Sequence, residues 1–267
     1  MRYEEYFELS EKTGWRVTDL DWDALDADDK AGLISDFDRE VLLGSAVIEH
    51  GVPHYADVWG MVDKLHQDWE LWQFTTLWTG EEHRHSYALK KACDRLGIGN
   101  AIAGDLTVVR EMAFAQRQKD TCPTNCYSTI PGMLAYAVIQ ELATARFYHY
   151  AAKRTESPFL KKLLNLIGTD EMRHHVYYRN SLKACYELSP DKAWYVDRVF
   201  ESTQSFKMPH LIYHLREEFF ERADWTSAGE ILPQLAKCFA FDMTLLARLA
   251  AVYPVAAALP AEALVVS

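Results

Sequence analysis

The sequence contains one unusual motif twice: an acid, Glu, any residue, Arg and His, written EEHRH at residues 81–85 and DEMRH at residues 170–174. In an α-helix, residues three apart lie about 60° apart around the axis and one turn along it, so the Glu and His of each motif can reach one point. Each motif interrupts a stripe of apolar residues spaced +4 and +3, which is typical of a buried helical face. The repeat therefore predicts a helical protein with carboxylates and imidazoles inside its core.

Each motif is preceded by another helical stripe that carries a single glutamate. Glu49 follows Leu42 and Ala46, and Glu141 follows Leu134 and Val138 on an otherwise apolar or small-residue face. The chain thus holds the order Glu…Glu-x-x-His twice. The predicted ligand set is Glu49, Glu82, His85, Glu141, Glu171 and His174.

The proximity of four buried carboxylates needs compensation by positive charge. Without it, desolvation and mutual repulsion would cost many kcal/mol, whereas two divalent or trivalent cations remove that cost. Oxygen and imidazole donors suit iron or manganese, and a bundle whose helices give Glu, Glu-x-x-His, Glu and Glu-x-x-His is the known di-iron carboxylate arrangement. The alternative is a set of paired surface salt bridges, with Arg84 and Arg173 as the partners.

Two further acids open the motifs. Glu81 and Asp170 each lie four residues before the histidine of their own motif. We predict that they accept hydrogen bonds that fix the imidazole tautomers. A surface charge is an equally good interpretation of Glu81.

The rest of the chain indicates an all-α fold, and the repeated ligand pattern predicts a four-helix bundle core of the ferritin-like kind with additional flanking helices. Most of the glycines and prolines fall between segments with a 3.6-residue apolar period. The predicted helices cover 36–67, 70–97, 105–119, 130–155, 158–187, 190–206 and 229–252. Residues 1–30 are predicted to be irregular and 253–267 to be a loosely held tail. No low-complexity linker divides residues 1–267, which predicts a single domain.

A local break is expected after the first predicted ligand. Pro53 has no N–H, and it stands four residues after Glu49, so a regular helix would leave the Glu49 carbonyl without its donor. Gly51 loosens the same turn. We therefore expect a kink or a helix end just past Glu49.

Charge and composition exclude several classes of partner and location. The net charge of −11 argues against a nucleic acid partner. The sequence contains no run of 18 apolar residues, which a membrane span would need, and no apolar segment near the N-terminus of the kind found in secretory signals. We therefore expect a cytoplasmic protein. Reduced thiols are favoured for Cys122 and Cys126, although the sequence leaves open whether they pair.

Five segments resemble the soluble acyl-carrier-protein desaturases: IEHGVPHY (48–55), WTGEEHRHS (78–86), QELATARFYH (140–149), TDEMRHH (169–175) and KMPHLIYH (207–214). The similarity runs from about residue 35 to 214 in matching order. It implies that the same six residues bind two iron ions. It further implies dioxygen as co-substrate, a ferredoxin-type electron donor, a homodimer, and introduction of a double bond into an acyl chain.

The chain also departs from that family. His50 stands where a second acid is usual and Ser86 where glycine is common, and the chain is much shorter beyond about residue 214. The acyl carrier therefore stays open: acyl carrier protein, another carrier domain, coenzyme A or none. The basic group Lys153, Arg154, Lys161 and Lys162 is a candidate carrier contact, with a solvated turn as the favoured alternative.

Two other functions stay open at the level of sequence. One is a related di-iron oxygenase, a hydroxylase or an N-oxygenase, that acts on a biosynthetic intermediate. The other is an iron-binding or storage protein of the ferritin class. The length, the tryptophan-rich surroundings of the motifs and the absence of any sign of cage-forming halves argue against storage.

Thr144 is the predicted catalytic residue beyond the ligands. It lies three residues after Glu141, which places its hydroxyl beside the ligand stripe, and the resembling family has Glu-x-Ala-Thr at this point. A buried hydroxyl can pass a proton to the reacting oxygen. The alternative is a hydrogen bond back to the carbonyl of Gln140 within the same helix.

Overall fold

The fold was analysed in a computed structural model that describes residues 2–60, 62–118, 128–205 and 237–252. Its α-helices are α1 (Tyr3–Thr13), α2 (Trp22–Lys30), α3 (Asp36–His50), α4 (Val52–Gly60), α5 (Trp69–Arg95), α6 (Ala103–Gln118), α7 (Ile130–Arg154), α8 (Pro158–Leu188), α9 (Lys192–Ser205) and α10 (Met243–Val252). Within these described ranges, β pairing is limited to an isolated bridge between Asp63 and Thr129. The predicted all-α fold is confirmed.

Four long helices form the central bundle. Helix α7 packs along α8, α3 packs along α5, and α5 also contacts α8. Helix α9 covers α7, α10 contacts α9, and α2 lies against α8 and α5. This is the predicted four-helix core with flanking helices, consistent with a ferritin-like bundle.

Helix ends follow local side-chain chemistry. At the start of α8, the Ser157 hydroxyl accepts a hydrogen bond from the Leu160 N–H at 3.1 Å, and Pro158 occupies the first helical position. At the end of α5, Gly97 adopts φ 69°, a left-handed conformation that glycine adopts without strain. These signals set the ends of the helices that carry the motifs.

The chain breaks between α3 and α4, directly after Glu49. Helix α3 ends at His50, and Gly51 donates its N–H to the Ile48 carbonyl at 2.9 Å before α4 begins. The expected break is confirmed, and a continuous helix over 36–67 is wrong. The physical reason is that Pro53 cannot donate to the Glu49 carbonyl.

The N-terminal segment is more regular than predicted. Residues 1–30 contain α1 and α2, so the prediction of an irregular segment is wrong. Helix α1 buries only Tyr6 and Ser10, while Phe7 and Leu9 are exposed. A helix with one buried aromatic and one buried hydroxyl has no apolar stripe for a periodicity argument to detect.

The last described helix is shorter than predicted. Helix α10 begins at Met243, where Asp242 accepts the Leu245 N–H at 2.9 Å, so the predicted helix over 229–252 does not continue unbroken through this point. Residues 229–236, the predicted tail at 253–267, the segment 207–214, Cys122 and Cys126 lie outside the described residues. The single-domain prediction stays a prediction. No described helix is both long and apolar enough to cross a membrane.

The core consists of two apolar clusters with a polar layer between them. On α5, Trp78 belongs to one cluster and Leu89 to the other, with Glu82 and His85 between them. Helix α8 passes through the same layers in the opposite order along the chain, from the cluster of Leu164 to that of Tyr178. The two motif helices therefore run antiparallel, and their polar residues meet at one level of the bundle.

Candidate metal centre

The structure brings together the side chains of all six predicted ligands. They are buried, and they come from α3, α5, α7 and α8. Two groups form in which each residue offers one ligand atom and all these atoms lie within 4.8 Å of one another: Glu49, Glu82, His85 and Glu171, and then Glu82, Glu141, Glu171 and His174. Glu82 and Glu171 belong to both groups, so they lie where carboxylates could bridge two ions.

Both imidazoles direct Nδ1 into this cluster. His85 Nδ1 lies 3.3 Å from Glu171 Oε1, and His174 Nδ1 lies 3.0 Å from Glu82 Oε1 and 3.3 Å from Glu141 Oε2. The Nε2 atoms point outward. This orientation offers the same nitrogen of each ring to a shared centre.

The two outer acids are exchanged between the motifs. Asp170 Oδ2 lies 3.1 Å from Nε2 of His85, and Glu81 Oε2 lies 3.0 Å from Nε2 of His174. Each acid thus lies against the histidine of the other motif helix, and not against the one four residues later in its own helix. The cause is the antiparallel packing of α5 and α8, which places each acid behind the ring of the facing helix. Because an ionised carboxylate only accepts hydrogen bonds, Nε2 carries a proton, which leaves Nδ1 as the nitrogen that could bind a metal once its own proton is displaced.

Glu81 is not a surface charge. Its exposed fraction is 3%, and Arg173, also 3% exposed at its side chain, donates to its Oε1 at 2.7 Å. Arg84 donates to Asp170 at 3.0 Å. The arginines therefore neutralise the outer acids, and the alternative of surface salt bridges to the ligand glutamates is wrong.

Three residues of the N-terminal segment complete this outer layer, and sequence analysis missed them. Tyr6 donates its hydroxyl proton to Glu81 Oε2, and Ser10 donates to Oε1 of the same residue at 2.5 Å. The Trp15 indole N–H donates to Asp170 at 2.9 Å, while its ring stacks on His85 at an interplanar angle of 7°. The only sequence signal was the +4 spacing of Tyr6 and Ser10.

Burial and mutual repulsion divide the four cluster carboxylates into two classes. Burial, followed by the charges of Glu82 and Glu171, raises the pKa of Glu49 well above its usual value. Burial and the charge of Glu171 do the same to the pKa of Glu141. Burial alone would raise the pKa of Glu82 and Glu171, but the two histidines, whose Nδ1 atoms lie 3.0–3.5 Å from these carboxylates, hold the pKa of both below its usual value. The two carboxylates shared by both groups are therefore the ones that stay ionised.

The pKa values of the two histidines are shifted by the same surroundings. Burial would lower their pKa values, but the contact of His85 with Asp170 and the nearby carboxylate of Glu171, together with the contacts of His174 with Tyr6 and the surrounding carboxylates, raise both pKa values well above the usual value. Protons thus balance the charge of the cluster when cations do not.

The donor set fits two metal ions. Among the described residues, Oε1 of Glu82, Oε1 of Glu171 and Nδ1 of both histidines are buried atoms without a hydrogen-bond partner. Buried polar groups normally have partners, and groups that lack them need an explanation. Oxygen and imidazole donors from carboxylates and neutral histidines match iron or manganese.

Thr144 has the local hydrogen bond named as its alternative. Its hydroxyl donates to the Gln140 carbonyl at 2.9 Å and accepts from the Gln140 side chain at 3.3 Å, and the residue is half-buried. This bond restrains the side chain but leaves the hydroxyl oxygen able to accept. The catalytic role of Thr144 stays a prediction.

His50, the residue that departs from the resembling family, faces away from the cluster. Its Nε2 accepts a hydrogen bond from Arg110 at 3.0 Å, and it lines a surface cavity of about 190 Å³ together with His54 and His83. The substitution therefore does not add a donor to either ligand group.

Comparison with known proteins points to the same kind of family as the five sequence segments. A model of the family described as "Fatty acid desaturase" matches residues 18–230, more than half of the chain. The "Putative acyl-[acyl-carrier-protein] desaturase DesA1" of Mycobacterium tuberculosis is 24% identical over 174 residues, which are 63% of this chain and 49% of that protein. The "Putative acyl-[acyl-carrier-protein] desaturase DesA2" of the same species is 26% identical over 115 residues, 43% of this chain and 39% of that protein. The chain matches about half the length of these curated relatives, or less.

Proposed function

This chain belongs to the fatty acid desaturase family, and we propose that it is a di-iron enzyme that uses dioxygen to introduce a double bond into an acyl chain. One observation carries the proposal. Two groups of buried carboxylates and imidazoles share Glu82 and Glu171, an arrangement that can hold two neighbouring cations. Family membership favours an enzyme over an iron-storage protein.

Each residue of the centre has a distinct part in this proposal. Glu49 and His85 would bind one ion and Glu141 and His174 the other, with Glu82 and Glu171 between them. Iron bound there would supply the oxidising chemistry, by activating dioxygen for the removal of two hydrogens from the acyl chain.

The surrounding side chains orient the ligands and limit access of water. Asp170 and Glu81 hold the two imidazoles by Nε2, and Arg84 and Arg173 donate hydrogen bonds to these acids. On the other side, Trp78 and Tyr178 pack at 6.4 Å between ring centroids, next to the ligand layer. The centre therefore lies in a largely apolar interior, where unproductive reaction with water is suppressed. Thr144 is the proposed source of a proton.

The partners follow from the same proposal. The names of the relatives point to acyl carrier protein as the acyl carrier, a ferredoxin-type protein would supply electrons, and the enzyme would be a homodimer. Lys153, Arg154, Lys161 and Lys162 are exposed at the junction of α7 and α8, as a carrier contact requires. Arg154 is partly engaged, since its guanidinium lies 4.6 Å from the Phe37 ring centroid and donates to Tyr150.

Mass spectrometry of the product tests the proposed reaction. The iron-loaded protein would be supplied with a ferredoxin system, dioxygen and a panel of acyl chains on acyl carrier protein, on coenzyme A or as free acids. We expect an acyl product that has lost two hydrogens and gained no oxygen, preferentially from the carrier-linked chain. A product heavier by one oxygen would instead assign the protein to the oxygenases, and bound iron without any acyl turnover would support iron storage.

A further inference from the structure

The two halves of the centre differ in how their terminal glutamates are held. Tyr148, on α7, reaches across to α3 and donates its hydroxyl proton to Glu49 Oε1 at 2.5 Å. Glu141 faces His174 Nδ1 at 3.3 Å, and among the described residues no group outside the cluster donates a hydrogen bond to it. The near two-fold symmetry of the ligands therefore does not extend to their supports.

Tyr148 is itself fixed by packing. Its exposed fraction is 1%, and its ring lies 5.6 Å from that of Phe147. Gly168 on α8 lies against it so closely that a Cβ at this glycine would stand 3.2 Å from the Tyr148 Cβ. A phenol in this position has little freedom to turn away from Glu49, because buried side chains are densely packed in single rotamers.

The hydrogen bond limits what Glu49 can do as a ligand. With Oε1 held by Tyr148, the orientation of the carboxylate is set before an ion arrives beside His85. Among the described residues Glu141 has no such support, so its orientation depends more on the ion itself. Supports of this kind typically change metal affinity by about 10–100-fold.

We propose that Tyr148 is a positioning residue that makes the two metal positions unequal, so that the position of Glu49 and His85 fills first and holds its ion more tightly than the position of Glu141 and His174. The inference rests on the proposed two-metal centre. It adds an order of loading and assigns a cause to it.

Metal titration of the full chain tests the proposal without reference to activity. Metal-free protein would be titrated anaerobically with Mn²⁺ by calorimetry, with bound Mn²⁺ followed by electron paramagnetic resonance. We expect two binding steps at least about tenfold apart in affinity, with an uncoupled Mn²⁺ signal after the first equivalent. Tyr148→Phe should weaken the first step by about 10–100-fold and bring the two steps together.

A matched control lies on the same helix. The Tyr150 hydroxyl accepts a hydrogen bond from Arg154 at 2.6 Å and does not contact the cluster, so Tyr150→Phe should leave both steps unchanged. A crystal of wild-type protein with one equivalent of Mn²⁺ should show anomalous density beside His85. This measurement decides the order of loading even if Tyr148→Phe folds poorly.

The outcomes separate this inference from the proposed function. Two equal steps, density beside His174, or a Tyr148→Phe titration identical to wild type would overturn the inference and leave a two-metal enzyme intact. Failure of the wild-type protein to bind two ions would overturn the proposed function itself.

Discussion

Oδ2 of Asp170 lies 3.1 Å from Nε2 of His85, although the two residues belong to different motifs on antiparallel helices. Together with the equivalent pair of Glu81 and His174 at 3.0 Å, this contact ties α5 to α8 on the outer side of the centre. The exchange means that each predicted metal position depends on an acid contributed by the facing motif. Damage to either motif should therefore affect both positions.

Asp170→Asn tests this dependence. The amide keeps the shape of the side chain but removes its charge, so the His85 imidazole loses its strongest acceptor. We expect metal affinity to fall by about 10–100-fold. The measurement is iron retained per chain after dialysis against a graded series of chelator concentrations. Asp26→Asn is the control, because Asp26 pairs with Arg95 at the surface. Equal iron retention in the two variants would show that Asp170 does not support metal binding.

Removal of shared and unshared ligands should have different effects. Glu171 belongs to both ligand groups, whereas Glu141 belongs to one. Wild-type protein should bind about two iron ions per chain. Glu171→Ala should lose nearly all of the iron, and Glu141→Ala about half of it. Elemental analysis gives the stoichiometry, with Glu156→Ala as the exposed control on the α7–α8 connection. Full occupancy in both ligand variants would show that the ligand set is wrong.

The N-terminal helix should contribute to stability through Tyr6. Its hydroxyl donates to the buried Glu81 carboxylate, and hydrogen bonds to charged groups are worth about 1.5–3 kcal/mol. We expect Tyr6→Phe to lower the free energy of unfolding of metal-free protein by an amount in this range. Urea denaturation measures it, with Tyr3→Phe as a partly exposed control on the same helix. An unchanged midpoint would mean that α1 is not coupled to the centre.

The convergence of the six candidate ligands was predictable from the sequence, while the contacts that support them were not. Glu82, His85 and Glu171 interrupt apolar stripes, and a 3.6-residue period is a local property that a single chain reveals. The crossing of Asp170 to His85 depends on the relative direction of two helices, which spacing within one helix cannot give. Tyr148 lies seven residues after Glu141 and so shares its helical face, but only the hydrogen bond across to α3 shows that its hydroxyl reaches Glu49.

The fold shows the same division. The break after Glu49 was predictable because Pro53 acts through its own backbone. Helix α1 was missed because it is held by a few polar contacts from Tyr6 and Ser10 to a distant carboxylate, and no local pattern records a contact of that kind.

Stabilisation by metal should grow as the pH rises. Burial raises the pKa of Glu49 and Glu141, and hydrogen bonds to carboxylates raise that of His85. A group whose pKa is raised by folding stabilises the fold at low pH, and this contribution is lost as the pH rises through the raised pKa. Metal-free protein should therefore lose stability as the pH rises above the ordinary pKa values of these groups, whereas bound ions already hold these ligands deprotonated.

Thermal denaturation checks this expectation. The difference in melting temperature between Mn²⁺-loaded and metal-free protein should increase as the pH of the measurement rises. Glu141→Gln, which removes one titrating group from the cluster, should reduce the pH dependence of the metal-free form. A difference that is constant or shrinks with pH would contradict the proposed charge balance.

Thr144→Val tests the proposed proton source. In the wild-type protein the Thr144 hydroxyl donates to the Gln140 carbonyl at 2.9 Å. Valine keeps the branched shape of the side chain and removes this hydroxyl. Iron content should be unchanged, because Thr144 belongs to neither ligand group. If the hydroxyl passes a proton during turnover, the variant should turn over more slowly or release more hydrogen peroxide per dioxygen consumed, an effect of about 10²-fold or more if the step is fully dependent on it.

Thr169→Val is the matched control, since its hydroxyl makes the same kind of bond to the Asn165 carbonyl, at 2.7 Å, on an exposed part of α8. Unaltered rate and coupling in Thr144→Val would leave Thr144 as a packing residue whose hydroxyl serves only its own helix.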